Sequence, residues 1–150
     1  MNDDLKELLA LLKSHQVEFL VIGAHAVGFY GRPRFTEDLD VWVNPTNENS
    51  LRLERALREF GAPIGPEGAD RFANKARQMV RIGNPPNMVD LLNFAGNEPF
   101  AEVWDRSLPG DLEGIEIRIP AKVDLILMKR ASNRPKDQAD IAQLEDKTGT

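Results

Sequence analysis

The nine residues FTEDLDVWV (35–43) set two aspartates one residue apart inside a run that otherwise has the composition of a β-strand. Side chains at i and i+2 of a strand leave by the same face. Asp38 and Asp40 therefore project together, while Leu39 and Val41 face the other way. Carboxylates so close repel, which raises the pKa of one of them unless a cation lies between. A divalent ion that prefers hard oxygen, Mg2+ or Mn2+, removes the conflict. Mg2+ is commonly held by one or two carboxylates together with substrate phosphates. The competing reading is a solvated strand start, and for an isolated D-x-D it is the better one. What surrounds the motif decides between them.

Upstream, VEFLVI (17–22) reads as a short strand that ends at Gly23, and AHAVGFYG after it begins as a helix of small residues. A glycine between strand and helix lets a backbone come close to a phosphate, and a helix start favours negative charge. Gly23-Ala24 alone is a weak signal. Followed at this distance by D-x-D on the next strand, it is a specific one. His25 fits a buried, satisfied side chain better than a ligand contact. Trp42 shares the face of the aspartates and fits core packing better than the floor of a pocket. A first helix over about 2–14 carries its stripe at Leu5, Leu8, Leu9, Leu11 and Leu12.

Downstream, the second half of NPTNENSLRLERALREFGAP reads as an amphipathic helix stopped by Gly61 and Pro63, and 61–70 as a loop. RQMVRIG (77–83) and NMVDLLNF (87–94) are two strands joined by the turn GNPPN. EPFAEVWDRS is a short helix, GIEIRIP (114–120) an alternating strand, and AKVDLILMKRAS and PKDQADIAQLED are two closing helices, the last opened by Pro135. DKTGT is a tail expected to fray. The order α-β-α-β-α-(α)-β-β-α-β-α-α predicts an α/β (α+β) fold, a mixed sheet flanked by helices.

The motifs IGA (22–24) and DLDV (38–41) resemble the polymerase-β-like nucleotidyltransferase superfamily, whose shared pattern is hydrophobic-Gly-[Gly/Ser], a helix, and D-hydrophobic-[D/E]-hydrophobic on the neighbouring strand. GAHAVGFYGRPRFTEDLDVWV and DLILMKRASNRPKDQADIAQL are similar to its small bacterial branch of AbiEii-type toxins. The likeness runs from about Phe19 to Leu144. It departs from the pattern at Ala24, which has no hydroxyl to give a phosphate. The resemblance implies a nucleotidyltransferase-like fold over 1–150 as one minimal domain. It also implies a third carboxylate, here Asp90, completing a metal site with Asp38 and Asp40. Two-metal chemistry would then activate an attacking hydroxyl and hold the departing pyrophosphate. The other reading of Asp90 is an edge residue bonded to a loop.

Two islands without acids, RFANKARQMVR (71–81) and MKRASNRPK (128–136), are where a polyanion would go in a chain of net charge −5; a solvated face is the alternative. The resemblance puts Lys129 near nucleotide phosphates and Asp137 near the site, with Asp140 capping or pairing within the last helix. Arg32 and Arg34 stand on the loop leading to the aspartates, where an arginine can hold a phosphate bidentately. Thr36 either binds a phosphate or caps the strand.

The chain of 150 residues is 41% hydrophobic and 29% charged, as expected of a soluble globular protein. It has no cysteine, which excludes disulfide and thiolate chemistry. No apolar run reaches the roughly 20 residues of a membrane span, and the acidic start MNDDLKELLALLKSHQ is unlike a signal peptide. A cytoplasmic protein is expected. The leading function is transfer of an NMP from an NTP to an acceptor hydroxyl on tRNA, protein or a small molecule. A toxin of this kind would be restrained by an antitoxin. Because the chain ends soon after the catalytic core, a helical partner protein, a second copy or a small acceptor is expected. The second reading is a non-catalytic nucleotide- or metal-binding protein of the same fold.

Overall fold

The computed structural model describes residues 3–31, 38–132 and 134–145. Residues 32–37, with Arg32, Arg34 and Thr36, and residues 146–150, DKTGT, lie outside them. Helix α1 (Asp3–Ser14) buries Leu5, Leu8, Leu9 and Leu12, with Asp3 and Asp4 in its first turn and Lys13 in its last, each charge opposing the helix dipole. Then come β1 (Phe19–Ile22), α2 (Gly23–Gly28), β2 (Asp38–Val43) and α3 (Asn47–Phe60). The side chain of Thr46 caps α3 by accepting from the Asn49 N–H at 3.1 Å. Gly61, at φ +102°, ends the helix in the left-handed conformation that glycine adopts without steric cost.

The residues read as a loop, 61–70, contain instead the start of helix α4 (Gly65–Asn74). Gly65 and Pro66 resemble a breaker, but proline is at home in the first turn, where its missing N–H has no partner to lose. The buried carboxylate of Glu54 accepts from the N–H groups of Ile64 and Gly65, both at 2.8 Å, and so ties α3 to the start of α4. Burial alone would raise the pKa of Glu54. The bonds from Ile64, Arg58 and Gly65 outweigh it and keep the carboxyl below its ordinary range.

β3 (Met79–Asn84) and β4 (Asn87–Leu92) form the expected hairpin. After α5 (Phe100–Arg106) comes a second hairpin, β5 (Leu108–Leu112) with β6 (Ile115–Ile119), followed by α6 (Lys122–Ser132) and α7 (Pro135–Glu145). Strand β5 has no counterpart in the expected order. Its Pro109 and Gly110 look like a turn, yet a strand paired on one side only tolerates both.

The main sheet has the order β1-β2-β4-β3. β1 runs antiparallel to β2, β2 parallel to β4, and β4 antiparallel to β3, so the sheet is mixed. Leu39, Val41, Val89 and Leu91 share one face and are buried in a cluster that includes the α1 leucines and Leu53 and Leu57 of α3. The opposite face carries Asp38, Asp40 and Asp90. Among the described residues, no helix is long and apolar enough to cross a membrane.

Candidate active site

Four residues define the polar face of the central strands. Asp40 pairs with Asp90 across the parallel β2–β4 ladder, and Asp38 pairs with Met88. Paired residues share a face, so Asp38, Asp40 and Asp90 stand on the same side of the sheet, as the sequence suggested. Asp38 and Asp40 are half-buried, and Asp90 is 7% exposed. Pairing of Ile22 with Asp40 brings the end of β1 beside them. There Gly23 adopts φ +73°, and a Cβ on it would fall 2.3 Å from Asp40 Oδ2. No other residue type meets both demands at that position. The bare backbone of Gly23 is thus a condition for the position of the Asp40 carboxylate.

The fourth residue is Arg81. It pairs with Asp90 across the β3–β4 hairpin and grips its carboxylate with both arms of the guanidinium, Nε donating to Oδ1 at 2.8 Å and Nη2 to Oδ2 at 3.1 Å. The bonds to Asp90, then its charge, then Asp38 and Asp40 raise the Arg81 pKa above its ordinary value. Sequence reasoning placed Arg81 in a phosphate-binding island and missed this contact. The signal was present: a two-residue turn at Pro85-Pro86 sets Asn84 opposite Asn87 and hence Arg81 opposite Asp90.

Among the described residues, no three acidic or histidine side chains converge closely enough to hold a metal ion as they stand. The three aspartates expected to do so share a face but do not form such a group, and Asp90 is held by Arg81. Their chemistry nevertheless fits a hard divalent ion: carboxylate donors on one face, beside a backbone with no side chain to crowd them.

Residues 1–149 match the family described as nucleotidyl transferase of unknown function (DUF2204). The chain belongs to that family. Two solved structures share the fold of this chain. One is the antibiotic-resistance factor ANT(2'')-Ia, 14% identical, with a TM-score of 0.59 over 94% of this chain and 80% of that one. The other is the lincosamide antibiotic adenylyltransferase LnuA in its lincomycin-bound form, 14% identical, with a TM-score of 0.58 over 97% of both chains. They establish the nucleotidyltransferase fold, a mixed sheet with flanking helices. A comparison with curated proteins found no match.

Lys129, Asp137 and Asp140 of this family member form a separate group. Lys129, on α6, is 8% exposed and lies 3.5 Å from Asp137 Oδ1 and 3.1 Å from Asp140 Oδ2, both on α7 and both essentially buried. Arg134 adds its backbone N–H and its Nε to Asp137, each at 3.0 Å. Burial would raise the Asp137 pKa, but the Arg134 bonds and the Lys129 charge hold it below the ordinary value of 3.8. Lys129 and Asp137 are thus brought together, and Asp140 pairs across to α6. Helix α7 packs on α2, so this cluster supports the segment that follows Gly23. Half-buried His25, on α2, has its pKa lowered first by burial.

Two residues beyond Asp40, Trp42 is 1% exposed and meets Phe100 edge-on at 5.1 Å, which is the packing role expected of it. It also lines a cavity of about 470 Å³, with Phe94, Asn97, Lys75 and Arg77 on the rim. The Arg77 guanidinium lies over the Phe94 ring at 5.1 Å. Asn93 fixes this rim, its amide donating to the carbonyls of Phe72 and Lys75 and accepting from the Gln78 N–H.

Proposed function

We propose that the chain is a metal-dependent nucleotidyltransferase that moves an NMP from an NTP to an acceptor hydroxyl, acting as a single minimal domain over 1–150. The observation that carries this reading is the in-register pairing of Asp40 with Asp90, with Asp38 one pleat away and the bare backbone of Gly23 against Asp40. In the reaction the acceptor oxygen forms a bond to the α-phosphorus of the NTP. The bond from that phosphorus to the bridging oxygen of the β-phosphate breaks, and pyrophosphate leaves. Asp90, the third carboxylate, takes the hydroxyl proton as general base. Mg2+ or Mn2+, held by Asp38 and Asp40 with Asp90 as third ligand, would supply charge stabilisation for the phosphates and a more acidic acceptor hydroxyl.

Gly23 and Ala24 let the phosphates approach through backbone alone, because Ala24 has no hydroxyl to offer. Arg34 and Thr36 are assigned to the phosphates on their place in the sequence. We assign Lys129 and Asp137 to shaping the nucleotide site through α7 and α2, since the Lys129 charge is already met by two carboxylates. The cavity beyond Trp42 has the size of ordinary small-molecule sites. It suits a nucleoside or a small acceptor, and the fold shared with a lincosamide adenylyltransferase keeps antibiotics among the candidates. Acceptors on tRNA or protein, with an AbiEii-like toxin role in the cytoplasm and an antitoxin, a helical partner or a second copy, complete the proposal. The non-catalytic alternative draws on one observation, the engagement of Asp90 by Arg81.

Titration of the protein with ATP, GTP, CTP and UTP, with and without Mg2+, tests the reading. Metal-dependent binding of one of them, absent in the folded Asp38→Ala/Asp40→Ala variant, is expected. A folded wild type that binds none of them would leave the non-catalytic protein standing.

A further inference from the structure

The polar face of the sheet already contains a cation. Asp40, Asp90 and Arg81 occupy consecutive strands in one row, and Asp38 adds a further carboxylate on the same face. We infer that Arg81 is an internal counter-cation for this row, holding Asp90 while no divalent ion is bound and yielding at least one Asp90 oxygen when an ion enters.

Three features carry the inference. The guanidinium satisfies both Asp90 oxygens in a bidentate fork, so a metal that needs either oxygen competes with it. Arginine keeps its charge at any pH the protein meets, so it clears the site only by moving. Movement is open to it: the Arg81 side chain is 52% exposed, whereas the carboxylate it holds is 10% exposed. A released Arg81 stands at the edge of the same face, where incoming triphosphate would offer it a new partner. Displacement by the metal and capture by the nucleotide then favour each other, and by linkage each ligand raises the affinity of the other. Metal loading is thereby coupled to the arrival of nucleotide.

The inference rests on the metal-dependent reading above, and one experiment separates the two. Mn2+ is titrated into wild type, Arg81→Met and Arg81→Lys, alone and with each of the four NTPs in the absence of acceptor, and free Mn2+ is read by electron paramagnetic resonance. Without nucleotide, Arg81→Met is expected to bind Mn2+ roughly tenfold more tightly than wild type, because a positive charge beside the ion is gone. Arg81→Lys, which keeps the charge but loses the fork, falls between the two. With the NTP that binds, the gap narrows. Equal Mn2+ affinity in wild type and both variants would overturn the role of Arg81 and leave the metal reading intact. Failure of wild type and variants alike to bind Mn2+, with every NTP, would overturn both. If Arg81→Met does not fold, the Arg81→Lys result decides.

Discussion

Two regions of this molecule set a basic side chain among carboxylates, and they do so in opposite ways. In the row Asp38–Asp40–Asp90, the cation is half-exposed Arg81, laid over one edge of an open sheet face. Between α6 and α7, Lys129 is buried to 8% exposure against Asp137 at 0% and Asp140 at 1%. An ion pair whose cation reaches water can release that cation to solvent, and the buried carboxylate left behind is then met by the ion that enters. A buried one cannot, because losing either partner leaves a charge in a medium that solvates it poorly. The first arrangement suits a site that ligands enter. The second suits a joint that holds two helices together, and through α7 it steadies α2 after Gly23.

The sharpest way to break this contrast is to remove the two charges of the strand. Asp38→Ala/Asp40→Ala is expected to lower nucleotidyl transfer by roughly a thousandfold or more, with the thermal midpoint essentially retained. A large fall in the midpoint would show that the strand carboxylates are structural. The converse change is Lys129→Met, which takes the ammonium away from two buried carboxylates, Asp137 keeping its Arg134 bonds, and is expected to cost about 3 kcal/mol in urea unfolding. A near-neutral result would mean that the α6–α7 pair is not the joint described.

Acid separates the regions more gently. The folded Asp137 carboxyl has a depressed pKa, so its contribution to stability is present above the unfolded value of 3.8 and is lost as pH falls through the lower folded one. Urea midpoints of wild type should therefore drop steeply below about pH 4, and those of Asp137→Asn less so. The smallest effect concerns His25. Its folded pKa lies below the ordinary 6.5, so the unfolded chain takes up the proton first and stability declines as pH falls through that value. His25→Gln should flatten the stability profile between about pH 7 and 5; an unchanged profile would locate that pH dependence elsewhere.

Much of the site was legible beforehand because it rests on local rules. Alternation in β2 fixes Asp38 and Asp40 to one face, and Gly23 ends β1 where a side chain cannot be accommodated. The hairpin turn likewise contains the Arg81–Asp90 register, although the basic residues around Arg81 drew the reading toward phosphate. Helix α4 and strand β5 were missed because Gly-Pro and Pro-Gly look alike as breakers, helix starts and edge strands when their neighbours are unknown.

Most of the strands and helices, and the shared face of Asp38 and Asp40, follow from the sequence alone, through periods of two and 3.6 residues and the backbone freedom of glycine. Only the tertiary structure decided that β4 lies parallel beside β2, which puts Asp90 level with Asp40 across nearly fifty intervening residues. It also decided that Arg81 closes on Asp90 while Lys129 sinks between Asp137 and Asp140. The reason is burial. A lysine and an arginine in similar basic islands read the same along the chain, and their roles separate once packing excludes water from one and leaves it beside the other.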